Sequence, residues 1–214
     1  MREAPIGVHG PGNVVAGAVD GGTAKVRSFV ALPLPPSLQT ELLGAAKGLS
    51  ADLPTVKWSR KVENLHVTLK FLGDVAVDHL AKLAAALLEE GVLGRTFQAT
   101  VRGFGAFPDA RQATTIWVGV EAEDGRLQEL ADMMERVGER LGLWRTDRSE
   151  PRRPFRPHIT VGRCKQGVDA RRALEPLRSR GFGTFPVAAL DVYESRLGRE
   201  GSTYVLRGRA PLLQ

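Results

Sequence analysis

Two histidines carry most of the chemical information in this chain. His66 stands in the apolar run NLHVTL at 64–69 and His158 in RPHITV at 156–161, each followed two residues later by a threonine, Thr68 or Thr160. In an extended strand the side chains at i and i+2 leave by the same face. Each histidine therefore shares a face with its threonine, while Val67, Leu69 and Phe71, or Ile159 and Val161, turn the other way into a core. One His-x-Thr in a strand is an ordinary structural feature. Two copies, one in each half of the chain, point to a duplicated lobe with a cleft between the copies, where two imidazoles and two hydroxyls converge.

That set matches a single phosphate. Opening a cyclic phosphodiester needs a water deprotonated on one side of phosphorus and an alkoxide protonated on the other. Imidazole, with an ordinary pKa of about 6.5, performs either task near neutrality. Threonine hydroxyls can donate to the non-bridging oxygens and steady the charge that builds up there. The scheme calls for no metal and no cofactor. No spacing of His, Cys, Asp and Glu resembles a zinc site, and GGTAK at 21–25 lacks the spacing of a phosphate loop.

Several neighbours are candidates for holding the substrate. Lys57 and Lys70 are phosphate neighbours, and strict alternation puts Lys70 on the His66 face. Trp58 and Phe155 offer aromatic faces on which an unpaired base can stack. From Arg145 to Arg180 there are eleven Lys/Arg against four Asp/Glu, so the whole positive excess of a chain of net charge +6 surrounds His158. Such a segment can gather a polyanion such as RNA.

The elements that must position these groups follow from periodicity. Residues 26–32 read as a strand, followed by a helix opened by Pro35 and Pro36 with Leu38, Leu42, Ala45 and Leu49 along one side. Residues 56–58 and 65–72 are strands, and a helix with Leu80, Leu83, Ala84, Leu87 and Leu88 on one face comes next. Strands at 97–107 and 114–120 then precede a helix that Asp124 is placed to cap. A strand from His158, a short helix near 169–177 and strands at 184–194 and 203–209 complete the chain. Several connections are too short for parallel crossovers, which predicts α+β with antiparallel pairing.

At 214 residues, with 43% hydrophobic and 25% charged residues, the chain suits one compact globular unit. Residues 1–25, rich in Gly, Ala and Val without periodicity, read as a flexible extension, and 26–214 as a single domain. There is no signal-peptide pattern and no apolar run long enough to span a membrane. One cysteine, Cys164, allows no internal disulfide, which fits a reducing compartment. A cytoplasmic monomer is the expectation.

ENLHVTLKFLGDV at 63–75 and RPFRPHITVGR at 153–163 resemble the paired signatures of the two-histidine phosphoesterases, and more narrowly the RNA 2′,3′-cyclic phosphodiesterases also called 2′-5′ RNA ligases. RSFVALPLPPSL at 27–38, GAFPDARQATTIWVGV at 105–120 and DVYESRLGREGSTYVL at 191–206 extend the likeness over residues 26–209. The resemblance implies a bilobal α+β fold with pseudo-twofold symmetry, antiparallel sheets lining a central groove and helices outside. It implies hydrolysis of RNA 2′,3′-cyclic phosphate ends, or of cyclic nucleotides, to 2′-phosphomonoesters. His66 and His158 are then the acid–base pair, and Thr68 and Thr160 the phosphate contacts. Arg163 stands where the family motif carries an arginine, yet alternation puts it on the wrong face unless the strand bends at Gly162. Two alternatives remain open at this level: a 2′-5′ ligase running the reaction backwards, and a non-catalytic RNA-binding module.

Overall fold

The structure, a computed structural model, describes residues 24–89, 93–143, 154–198 and 201–214. The N-terminal extension up to residue 23, and Arg145, Arg148, Arg152 and Arg153 of the basic segment, lie outside the described residues.

The chain forms β1 (Lys25–Pro33), α1 (Pro36–Gly48), β2 (Lys57–Trp58), β3 (His66–Ala76), α2 (Val77–Leu87), β4 (Phe97–Phe107), β5 (Ala113–Glu121), α3 (Arg126–Arg140), β6 (His158–Val168), α4 (Arg171–Leu174), β7 (Gly181–Val187), β8 (Ala189–Gly198) and β9 (Gly201–Pro211). The strands join in the order β7-β4-β5-β6-β3-β1-β8-β9, with β2 added on β6, and the named strand pairings are all antiparallel. This is the α+β architecture that the short connections require.

The order is a palindrome about its centre. β3 and β6, the two His-x-Thr strands, are inner neighbours; β1 and β5 flank them, then β8 and β4, then β9 and β7. The two halves meet through a single pairing, Val67 with Ile159. Both residues are fully buried, so Ile159→Ala would remove packing at the joint between lobes at a cost of about 2–5 kcal/mol. Because the polar residues flank that pair on each strand, His66 and Thr68 leave one side of the joint together with His158 and Thr160. The duplication inferred from the sequence echo is thus a pseudo-twofold axis through the Val67–Ile159 contact.

Helices cover the other face. In α1, Leu38, Leu42 and Ala46 recur every four residues and are buried, and Pro36 occupies the first turn, where no amide donor is needed. In α2, Leu80, Leu83, Ala86 and Leu87 are buried; in α3, Leu127, Leu130, Met134 and Val137. Asp124 does not cap α3. It adopts φ +53° in a short 3-10 turn, and Gly125, also left-handed, takes the cap position. The stretch 184–194 is not one strand either: β7 ends at Val187 and β8 begins at Ala189 on the opposite half of the sheet.

Candidate active site

Strict alternation fails at equivalent places on β3 and β6, and both failures shape the cleft. On β3, Ala31 pairs with Thr68 and Val30 with Lys70, so Leu69 is an extra residue. On β6, Trp117 pairs with Thr160 and Ile116 with Gly162, so Val161 is extra. Each is a bulge, which shifts the alternation by one beyond it.

Two expectations change as a result. Lys70 is turned away from the His66 face and forms an ion pair with Glu135 of α3. Phe71, expected in the core, is instead 62% exposed and lines the cleft. On β6 the same shift carries Arg163 onto the face of His158 and Thr160. The bend anticipated at Gly162 occurs one residue earlier, at Val161. Gly162 has a different function: a Cβ there would lie 2.7 Å from Val56 and 2.9 Å from the Trp58 ring, so glycine lets β2 close onto β6.

The cleft between the lobes has a volume of about 930 Å³. It brings together His66, Thr68, His158, Thr160, Arg163 and Trp58. Phe155 packs half-buried against the core and is not among the lining residues. Lys57 is in the wall, opposite Arg163 in the β2–β6 pair. Among the described residues the charged side chains in the wall are Arg27, Lys57 and Arg163, with no carboxylate. An enclosed surface of this kind attracts an anion.

Both imidazoles are held in the same manner. His158 Nδ1 lies 2.7 Å from the carbonyl oxygen of Arg156. A carbonyl only accepts, so Nδ1 carries the proton and Nε2 is the nitrogen left for chemistry. His66 likewise bonds the backbone carbonyl of Asn64, again two residues upstream. The Asn64 side chain donates to the Ser202 carbonyl at 3.0 Å, fastening the approach to His66 onto the β8–β9 hairpin. Aromatic rings surround both groups. His66 stacks on Phe29 and meets the edge of Tyr204, with centroids 4.7 and 5.2 Å away. His158 packs edge-on to Phe107 at 4.9 Å.

These surroundings favour neutral imidazoles in the empty cleft. Burial lowers the His66 pKa to about 4; the Asn64 carbonyl opposes this, and Arg163 and His158 add to it. Burial also lowers that of His158, with Arg163 reinforcing the effect and the Arg156 carbonyl opposing it. A negative charge placed beside the two rings would favour a proton on one of them.

Sequence reasoning missed Phe71, Arg27, Asn64, Tyr204 and the ring of Phe29. Asn64 had a usable signal, since the residue two before a strand histidine is placed to fix its tautomer. The others depend on bulges or on strands distant in sequence.

Among the described residues no three His, Cys, Asp or Glu side chains are grouped to hold a metal ion, and no helix is long and apolar enough to cross a membrane.

Residues 34–199 match the family model of the 2′-5′ RNA ligase superfamily. An RNA 2′,3′-cyclic phosphodiesterase of Archaeoglobus fulgidus is 32% identical over 84% of this chain and 96% of its own length. One from Methanothermobacter thermautotrophicus is 30% identical over 84% and 95%. Among solved structures, a Thermus thermophilus protein superposes with a TM-score of 0.71 at 27% identity, covering 87% of this chain and 97% of that one. Escherichia coli LigT complexed with 3′-AMP superposes with a TM-score of 0.65 at 25% identity, covering 89% and 99%.

Proposed function

The chain belongs to the 2′-5′ RNA ligase superfamily, and from that premise we propose that it hydrolyses the 2′,3′-cyclic phosphate at RNA ends to a 2′-phosphomonoester, with His66 and His158 as the acid–base pair. The observation that carries this reading is the symmetry of the cleft. Two imidazoles, each bonded to a backbone carbonyl two residues upstream, and two threonines flank one axis in a wall with no carboxylate among the described residues.

The chemistry balances with these groups alone. One neutral imidazole takes a proton from water as the water oxygen bonds to phosphorus. The bond from phosphorus to O3′ breaks, and the other imidazole, charged once the phosphate is bound, gives O3′ its proton. The products are a free 3′-hydroxyl and a phosphate on O2′. Thr68, Thr160 and Arg163 stabilise the non-bridging oxygens as the phosphorus becomes five-coordinate. The exposed ring of Phe71 and the indole of Trp58 offer faces for a base. The curated relatives' names, and the nucleotide held by the LigT structure, support substrates of this class.

With a 5′-hydroxyl in place of water as the nucleophile, the same groups open the 2′,3′-cyclic phosphate into a 2′-5′ phosphodiester, so a 2′-5′ ligase activity uses the same residues. Incubating the protein with a 2′,3′-cyclic nucleotide and a chelator, and identifying the product, tests the proposal. A 2′-phosphate formed at an undiminished rate is expected. A 3′-phosphate, or activity that needs an added metal, would reject it.

A further inference from the structure

Of the three cations that the described residues put in the cleft wall, only Arg163 is accounted for by a single phosphate. It is the one cation whose charge acts on both imidazoles. Arg27, on β1, faces the same cleft.

Its position is defined by the strands. Arg27 is two residues before Phe29 on β1 and shares its face, and Phe29 is the ring on which His66 stacks. Two residues of strand span roughly 6.6 Å, a distance on the order of one nucleotide step. In the β1–β8 pairing Ser28 lies opposite Glu194, so continuing the register sets Ser195 across from Arg27, and Ser195 also lines the cleft. On the other side Phe71 is opposite Phe29. A guanidinium and a hydroxyl are thus set one nucleotide outward from His66 on the lobe across from Arg163.

Arg27 has no carboxylate partner among the described residues, in contrast to the arginines of the adjoining hairpin. Arg196 and Arg207 are tied to buried Glu194, and Arg209 to buried Asp191. Arg27 faces the cleft instead, with Asp74 opposite it on β3.

We propose that Arg27, with Ser195 beside it, is a second phosphate subsite that takes the phosphodiester on the 5′ side of the terminal nucleotide, so that the cleft is shaped for a polynucleotide end. This rests on the reading of the cleft as the site for a phosphate on the terminal ribose. Arg163 holds one phosphate, Arg27 the next, and the ribose between them lies against the Phe29–His66 side of the wall.

Binding separates this subsite from the chemistry. Adenosine 2′-monophosphate carries only the product phosphate, while adenosine 2′,5′-bisphosphate adds one where the upstream phosphodiester would be. By titration calorimetry the bisphosphate should bind about tenfold more tightly at low salt, with the advantage shrinking as salt rises. In Arg27→Gln the ratio of the two affinities should fall close to one. A ratio near one in the unaltered protein, or a ratio that survives Arg27→Gln, would overturn the proposal. So would a ratio lost in Lys57→Gln but kept in Arg27→Gln, which would put the second phosphate on the other lobe. No turnover enters the measurement. A protein that shows this preference yet leaves cyclic phosphates intact would keep the subsite and lose the hydrolase.

Discussion

The rings of His66 and Phe29 are stacked, with centroids 4.7 Å apart and planes inclined by 25°. Phe29 itself is 3% exposed, and it also stacks at 5.4 Å with Tyr193, whose ring lies 6.4 Å from His66. Tyr193 in turn donates to the buried carboxylate of Asp191 at 2.8 Å. This cluster of rings fixes the plane of His66 and removes water around it, which is the physical origin of its low pKa.

A pH dependence follows. Since both imidazoles are lowered from 6.5 in the free protein, the form with one charged and one neutral is most abundant below pH 6.5. As kcat/KM reports the free protein, its optimum should lie on the acid side of 6.5, and it should fall as pH rises through neutrality. Arg163→Gln removes a positive charge that lowers both groups, so it should move the optimum upward. A profile of kcat/KM against pH for the two proteins checks both statements. An optimum above neutrality in the unaltered protein would contradict them.

Stability carries the same sign. Below 6.5 the unfolded chain binds a proton at His66 that the folded chain resists until about pH 4. Folding stability should therefore rise with pH between these values and be lost on acidification through the window. His66→Phe, which keeps a ring on Phe29 without a titrating group, should flatten that part of the curve. Thermal melts of both proteins from pH 4 to 7 measure it.

Removal of either imidazole should be severe. His66→Ala and His158→Ala are each expected to lower kcat by roughly 10²–10⁴, the usual contribution of general acid–base catalysis. Thr68→Ala and Thr160→Ala each remove one hydrogen bond of about 1–3 kcal/mol and should cost about 10–100-fold. Single-turnover rates at saturating cyclic nucleotide separate the two classes. Near-normal turnover without one of the histidines would mean that the wrong groups have been assigned.

The fold and the central four side chains were legible because they depend on local periodicity and on a repeated His-x-Thr. Alternation placed His66 with Thr68 and His158 with Thr160 before any contact was known. It misplaced Lys70 and Phe71 because a bulge at Leu69 leaves no mark in composition: the run VTLKFL alternates as well with the extra residue as without it. Arg163 could be assigned only by requiring a break in its strand. Arg27 and Ser195 are far apart in sequence and line one cleft only because β8, near the end of the chain, returns to pair with β1.

Gly162→Ala tests the closeness of β2 and β6. The added methyl would lie 2.7 Å from Val56 Cγ1 and 2.9 Å from the Trp58 ring, too near for any ordinary carbon contact. Overpacking of this kind costs typically 1–3 kcal/mol. The strand next to it carries Lys57 and Trp58, and the following residue is Arg163, so KM should rise along with the loss of stability. A melting temperature and KM both within error of the unaltered protein would show that β2 yields without consequence.

The two bulges make a sharper prediction about adjacent residues. Phe71 is exposed in the cleft, while Lys70 is directed to Glu135 on the helical side. Phe71→Ala should raise KM for a cyclic nucleotide by roughly 5–100-fold, since stacking of a base on an aromatic ring is worth about 1–3 kcal/mol. It should alter kcat little, because the ring touches no group that transfers a proton. Lys70→Met keeps the aliphatic stem and deletes the charge. It should lower stability by about 1 kcal/mol or less, the scale of a partly exposed ion pair, with KM unchanged. Strict alternation demands the reverse pattern, with Lys70 binding substrate and Phe71 holding the core. Measuring KM and the melting temperature of the two variants side by side distinguishes the bulged strand from the regular one. A rise in KM on Lys70→Met with none on Phe71→Ala would show that β3 runs without its extra residue.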